Sequence, residues 1–290
     1  MRLVQIVAVL LLNVSTYAEE TMIVAHRGAS LDAPENTMPA FELAWKQGAD
    51  AIEGDFHLTK DGHIACIHDD NTKRVSNTNI VVRNATLAEL RKLDVGGHRG
   101  AAFKGIGIPT IEEVFSTIPD QKTIYIEIKC GAEIISPLLK EIKKSGLKKE
   151  QIVVICFNAK VLQELKAKAP QYKVSWLCSF KKNKAGEMTP SLEKVLETLA
   201  LIHSDGLSSN ITIPQPFIEA IEQKGYEWHV WTVDDLKTAK RLKTLGAKSI
   251  TSNKPGYIRN NLVEQSPAGD VLKAARDPSR SRGAAPRERP

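Results

Sequence analysis

Eight short runs of apolar, largely β-branched residues recur along the chain, ending near His26, Asp55, Lys129, Phe157, Cys178, Leu207, Val233 and Ser252. Runs of this kind read as strands buried on both faces of a parallel sheet, and parallel strands need crossover connections. Helical patterns fill the later gaps, over 159–168, 190–201, 216–224 and 235–245. Eight strand-helix units in about 240 residues match the size of a single (β/α)8 TIM barrel, an α/β fold whose sites gather at the C-terminal ends of the strands.

Those strand ends carry an unusual set of side chains. The run 22–25 delivers His26 and Arg27 before Gly28, and Glu35-Asn36-Thr37 then opens a helix with Phe41, Leu43, Ala44 and Trp45 as its apolar positions and Gly48 as its stop. Over 51–56, period-two alternation puts Glu53 and Asp55 on one face and Ile52, Gly54 and Phe56 on the other. Asp61-Gly62 reads as a two-residue hairpin loop that pairs Lys60 with His63 and sets Asp55 opposite His68. A loop so short cannot hold a parallel crossover, so 63–68 should be an antiparallel β-hairpin excursion after strand 2. Over 124–129, three isoleucines alternate with Tyr125, Glu127 and Lys129. A charged pair on a buried strand needs a polar cavity to face. Two histidines, basic groups and several carboxylates at neighbouring strand ends suit metal-assisted phosphate chemistry.

On these motifs the chain resembles the glycerophosphodiester phosphodiesterase family of metal-dependent TIM-barrel hydrolases. The likeness spans roughly 22–257 and rests on an ordered series: AHRGAS, APENTMPAF, GADAIEGDFHLTKDGHIACIHDD, TLAELRKLDVGG, IPTIEEVF, YIEIK, VWTVDD and, more weakly, ITSNKP. The resemblance implies that Glu53, Asp55 and Glu127 bind one divalent cation, Mg²⁺ or Ca²⁺, for which oxygen donors are suited. It implies that His26 and His68 are the catalytic acid/base pair, and that Arg27 and Lys129 hold the phosphate. It raises Trp231 from barrel packing to a substrate contact. In the family reaction a glycerol hydroxyl attacks phosphorus, a histidine protonates the departing alcohol, and water opens the cyclic phosphate. The implied products are glycerol 3-phosphate and an alcohol, with the order of the two histidines left open.

Three positions depart from the family pattern. Cys156 precedes Phe157 where serine is common, Asp234 stands where asparagine is common, and Asn253 stands where aspartate is usual. They touch head-group preference and none of the proposed ligands. A second HRGA, at His98 to Ala101, follows a Gly-rich loop with no apolar strand before it and reads as coincidental. His57, His63, His203 and His229 read as surface or structurally satisfied. Cys66, Cys130, Cys156 and Cys178 lack zinc spacing and read as free thiols in or beside strands, with Cys66 on the His68 face and so bordering the cleft.

The ends read differently from the barrel at 19–262. Arg2, an apolar run over 3–12 and Thr16-Tyr17-Ala18 form the parts of a secretory signal peptide over 1–18, which predicts export to the periplasm or medium and no stable membrane anchor. The segment 263–290 reads as a disordered basic tail. From Gln265 it holds six Arg or Lys against three Asp or Glu, half of the formal net charge of +6. The remainder is ordinary for a barrel, and no basic-aromatic stripe points to nucleic acid. The expected partner is a small-molecule phosphodiester; the oligomeric state is not encoded in any motif. Two alternatives stay open: a lysophospholipase D-like enzyme, marked by an apolar groove beside Trp231, and an exported phosphodiester-binding protein without turnover.

Overall fold

The apolar runs become the staves of a closed barrel. The computed structural model describes residues 20–263, so the expected signal peptide and most of the expected tail lie outside the described residues. The strands are β1 (Met22–Ala25), β2 (Ala51–Leu58), β3 (Ile64–Cys66), β4 (Thr123–Ile128), β5 (Ile152–Cys156), β6 (Lys173–Cys178), β7 (Lys181–Lys182), β8 (Met188–Thr189), β9 (Gly206–Asn210), β10 (Glu227–Trp231) and β11 (Ser249–Ser252). Eight of them pair in parallel in the order β1-β11-β10-β9-β6-β5-β4-β2, and β1 pairs with β2 to close the ring. β3 pairs antiparallel on β2, and β7 and β8 form a separate hairpin beyond β6. The TIM barrel expected from the strand count is therefore the fold.

Alternation sorts the side chains. Ile124, Ile126 and Ile128 of β4 point outward and share a core with Leu138 and Ile142 of the helix Ile135–Ser145. Tyr125, Val153, Ile155 and Leu177 point inward. Of the expected helices, 159–168 is matched by Ala159–Lys168, and 190–201 starts later, at Leu192, because Ser191 caps it by accepting from the Lys194 amide. β9 runs past Leu207 to Asn210. Its Ser208 and Ser209 are buried by bonds to Ser175 Oγ (2.8 Å) and Trp228 Nε1 (2.9 Å), which hides the strand from an apolar pattern. The last helix, Pro255–Val263, passes the expected boundary at 262 by its final residue.

The hairpin differs from expectation in register. Phe56 pairs with Cys66 and His57 with Ala65, one residue out of the predicted frame. The loop closes with Thr59 N donating to His63 O at 2.8 Å, and only Gly62 takes positive φ, +82°. Thr59 Oγ1 donates to Asp61 Oδ1 at 2.6 Å, which favours a three-residue loop with a left-handed Gly over the two-residue turn. A one-residue slip turns every side chain over. Cys66 accordingly packs in the outer core beside Phe56, not on the cleft face, and burial pushes its thiol well above the ordinary value. His68 is not a cross-strand partner of Asp55; it lies beyond the end of β3, where the chain has left the ladder.

The stretch from Asp69 to Pro109 lies between β3 and β4. It carries a satellite core of its own, with Val75, Val82, Leu90, Val95 and Ile108 packed on Ala65 and Ile67. The second HRGA lies here; Arg99 donates to the carbonyls of Ser30 and Leu31 and pins the loop that follows the first copy.

Gly28 is the tightest point of that first loop. Its φ is +78°, and a Cβ there would stand 2.6 Å from the Ala40 carbonyl carbon. Gly28→Ala is expected to cost about 1–3 kcal/mol from backbone strain, before the clash is counted. The check is the urea midpoint, and an unchanged midpoint would contradict it.

Candidate active site

β2 and β4 run side by side with Asp55 level with Glu127 and Glu53 level with Tyr125. Since Glu53, Asp55 and Glu127 share the inward face, three buried carboxylates meet. Among the described residues they form the one group of three or more His, Cys, Asp or Glu whose ligand atoms all lie within 4.8 Å of one another. Arg27 arrives from the end of β1 on a backbone at φ +58°, held by its N–H donating to Glu53 Oε2 at 2.9 Å. Its Nε lies 3.2 Å from Asp55 Oδ2, close enough for charge attraction but not aligned as a hydrogen bond. Lys129 Nζ bonds Glu127 Oε1 at 2.7 Å and lies 3.5 Å from Asp55 Oδ1.

Two bases do not balance three acids, and the carboxyls respond unequally. Burial, then Asp55 and Glu127, push Glu53 well above the ordinary carboxylate range. Burial and Asp55 raise Glu127 to about 7, against the pull of Lys129. Burial acts on Asp55 in the same sense, but the Arg27 and Lys129 charges hold it below its usual value. Glu53 Oε1 and Asp55 Oδ1 are buried without a hydrogen-bond partner. Orphaned buried oxygens on crowded carboxylates are the donor set that a hard divalent cation satisfies, so the residues fit the implied metal.

The expected histidines face the same cleft, a cavity of about 170 Å³ whose walls also include Arg27, Lys129 and Trp231. All eight site residues anticipated from sequence are thus brought together. His26 Nδ1 donates to Asn253 Oδ1 at 2.7 Å, because an amide oxygen only accepts. Burial and the Arg27 charge lower the His26 pKa in spite of that bond. Asn253 is aimed in turn by Asp234, whose Oδ2 accepts from Asn253 Nδ2 at 2.7 Å and whose Oδ1 accepts from its N–H at 2.8 Å. The two departures at 234 and 253 are therefore one exchange across a shared hydrogen bond. His68 Nδ1 instead meets a carboxylate, Asp69 Oδ1, at 2.6 Å.

Several residues here escaped the sequence reading. Asn36 does not start a helix; α1 is Met38–Lys46, and Asn36 sits before it at φ +55°. Its amide donates to Asp55 Oδ2 at 2.8 Å and accepts from the Asp55 N–H at 3.2 Å. Pro39 in the first turn and the tolerance of Asn for positive φ were the signals available. His229, expected to be surface or structurally satisfied, is buried against Ser249 Oγ at 2.9 Å and also lines the cleft. Trp231 meets Phe157 edge to face at 5.7 Å, and its indole N–H is buried without an acceptor. All four cysteines are free.

Comparison with known proteins places the chain in a family. The sequence profile of the glycerophosphoryl diester phosphodiesterase family matches residues 26–257. A glycerophosphodiester phosphodiesterase of Caldanaerobacter subterraneus is 35% identical over 83% of this chain and 97% of its own length. The human lysophospholipase D GDPD1 is 26% identical over 82% of this chain and 85% of its own. A phosphodiesterase of Oleispira antarctica, solved with the product sn-glycerol-3-phosphate, superposes with a TM-score of 0.76 at 26% identity, covering 85% of this chain and 98% of that one. With the barrel, the carboxylate cluster and the family profile in agreement, the chain belongs to the glycerophosphoryl diester phosphodiesterase family.

Proposed function

We propose that this protein hydrolyses glycerophosphodiesters, releasing glycerol 3-phosphate and an alcohol, with a divalent cation, Mg²⁺ or Ca²⁺, held by Glu53, Asp55 and Glu127. The observation that carries the reading is the meeting of three carboxylates within 4.8 Å in a cleft that two histidines and two bases also line. When bound, the cation would neutralise charge on the phosphoryl oxygens. Arg27 and Lys129 hold the non-bridging oxygens, and the free Trp231 N–H donates to a substrate oxygen.

The partners of the two histidines divide their work. His26, bonded to a neutral amide and lowered in pKa, is poised as a base with Nε2 unprotonated. It takes the proton of the glycerol hydroxyl as that oxygen attacks phosphorus. His68, its ring oriented by the Asp69 carboxylate at Nδ1, gives a proton from Nε2 to the departing alcohol. In the second half His68 takes a proton from water attacking the cyclic phosphate, and His26 returns its proton to the ring oxygen that leaves. Each histidine ends as it began.

The direct test is release of glycerol 3-phosphate from glycerophosphocholine with Mg²⁺, Ca²⁺ or EDTA, beside His26→Ala and Glu53→Ala. Metal-dependent release lost in both variants is expected. Folded, metal-bound protein that releases nothing would leave a binding role. Cation binding also has a thermal signature. Because Glu127 is raised from 4.5 to about 7, the protonated carboxyl favours the folded state below 4.5, and this support is lost as pH rises through about 7. Metal-free protein should therefore show a Tm that falls between about pH 4.5 and 7, and added cation should cancel the fall. A metal-free Tm that rises across that window would contradict it.

A second reading concerns the alcohol. Phe157 is 47% exposed at the cleft mouth, and Ile155 and Leu177 continue its apolar wall beside Trp231. Such a wall favours a lysophospholipid, the substrate class in the human relative's name. Comparing kcat/KM for a lysophosphatidylcholine with that for glycerophosphocholine decides between them. We further propose export, on the strength of Arg2, the apolar run and Thr16-Tyr17-Ala18; mass analysis of the secreted protein's N-terminus tests it.

A further inference from the structure

His68 hangs from a bend beyond the last residue of β3, so no ladder fixes its ring. What fixes it is a chain of ionic hydrogen bonds centred on Arg74, a residue of the 69–109 excursion. Arg74 Nε donates to Asp69 Oδ2 at 2.8 Å, and Asp69 Oδ1 accepts from His68 Nδ1 at 2.6 Å. The other edge of the same guanidinium grips both oxygens of Glu35, Nη1 to Oε2 at 2.7 Å and Nη2 to Oε1 at 2.8 Å. Glu35 Oε1 also accepts from Arg27 Nη1 at 2.9 Å. One planar fork therefore joins the carboxylate behind His68 to the carboxylate behind Arg27, across two segments 39 residues apart. The base of the fork is anchored, since neighbouring Val75 is buried in the satellite core and Thr72 N donates to Ile80 O at 3.0 Å.

We propose that Arg74 is a positioning residue for proton transfer. By holding Asp69 it keeps the His68 Nδ1–H bonded to Asp69 Oδ1, which leaves Nε2 as the proton-transferring atom and turns it toward the leaving oxygen. This rests on the reading of His68 as the acid. Arg74 is not among the residues lining the cleft, and its side chain is 45% exposed, so its ion pairs add little to stability and its loss should leave the fold intact.

The test uses the leaving group as the readout. Departure of choline needs a proton; departure of p-nitrophenolate does not. Arg74→Ala and Asp69→Asn, which break the same link from its two ends, are compared with wild type and His68→Ala on glycerophosphocholine and on the p-nitrophenyl diester of glycerol phosphate. Both are expected to lower kcat on glycerophosphocholine by about 10–100-fold, the cost typical of losing a partner that orients a working histidine, with KM little changed. On the p-nitrophenyl ester the loss, read as the first-turnover burst of p-nitrophenolate that precedes the water step His68 also serves, should be under about 3-fold, following the logic that acid catalysis matters where the leaving group is poor. Arg74→Lys should not rescue, because one ammonium cannot span both carboxylates. Equal losses on both substrates, or none on glycerophosphocholine, would overturn the role of Arg74 while leaving His68 as the acid. If His68→Ala itself lost equally on both, the acid reading would fail and the Arg74 proposal with it.

Discussion

Asp55→Ala is expected to be the most damaging single substitution in the barrel, abolishing turnover and costing about 3–5 kcal/mol of stability, the range for breaking one side of a buried ion pair. Asp55 is fully buried, with Arg27 Nε at 3.2 Å, Lys129 Nζ at 3.5 Å and the Asn36 amide donating at 2.8 Å. Its removal takes a buried carboxylate from beside both Arg27 and Lys129 and leaves the Asn36 amide donor without an acceptor. Asp55→Asn separates the contributions. It keeps an acceptor for Asn36 and the volume, so stability should fall less, while loss of the charge should remove activity as fully. The pH dependence has a definite sign. Because the folded pKa of Asp55 is depressed, its contribution is complete above the ordinary carboxylate value of 3.8 and is lost as pH falls through the folded one. Urea unfolding of both variants at pH 7, with far-ultraviolet circular dichroism, is the measurement. An Asp55→Ala protein as stable as wild type would refute the ion-pair account.

His26→Ala should lower kcat by about 10²–10⁴-fold without unfolding the protein, the usual contribution of a positioned general base. The same residue sets the acid limb of the kcat/KM profile. A base works when deprotonated, and His26 is held below 6.5, so activity should persist into mildly acidic conditions. The exchange at 234 and 253 makes this adjustable. In the double variant Asp234→Asn with Asn253→Asp, the number of carboxylates is unchanged but a charged oxygen replaces the amide at His26 Nδ1. The imidazolium is then favoured, and the acid limb should move to higher pH. Either single change should be worse than the pair. Asn253→Asp alone sets two carboxylates at the 2.7 Å spacing now bridged by an amide hydrogen, and Asp234→Asn alone leaves two amides to find a new orientation. An acid limb unmoved in the double variant would mean that His26 is not the base.

The barrel was legible in the chain because it is built from local periodicity. Strands delivered side chains on alternate faces, so Glu53 with Asp55, and Tyr125 with Glu127 and Lys129, had to share faces wherever those strands lay. Ends of strands were less visible where Ser208 and Ser209 replaced apolar residues, since their burial depends on partners elsewhere in the barrel. The hairpin shows the limit of local reasoning most clearly. Asp61-Gly62 marked the turn, but a side-chain bond from Thr59 selected its length and so the register.

By itself, then, the sequence determined the periodic part of this protein: the strand-helix count, the inward faces, and the residue types that meet at the strand ends. Only the tertiary structure decided how they are held. Asn253 reaches His26 across 227 positions, Arg74 reaches Glu35 across 39, and Asn36 reaches Asp55 from a turn and not from a helix. Such contacts depend on where barrel closure and the satellite core place separate loops, and no repeat along the chain records a distance between segments that approach only on folding.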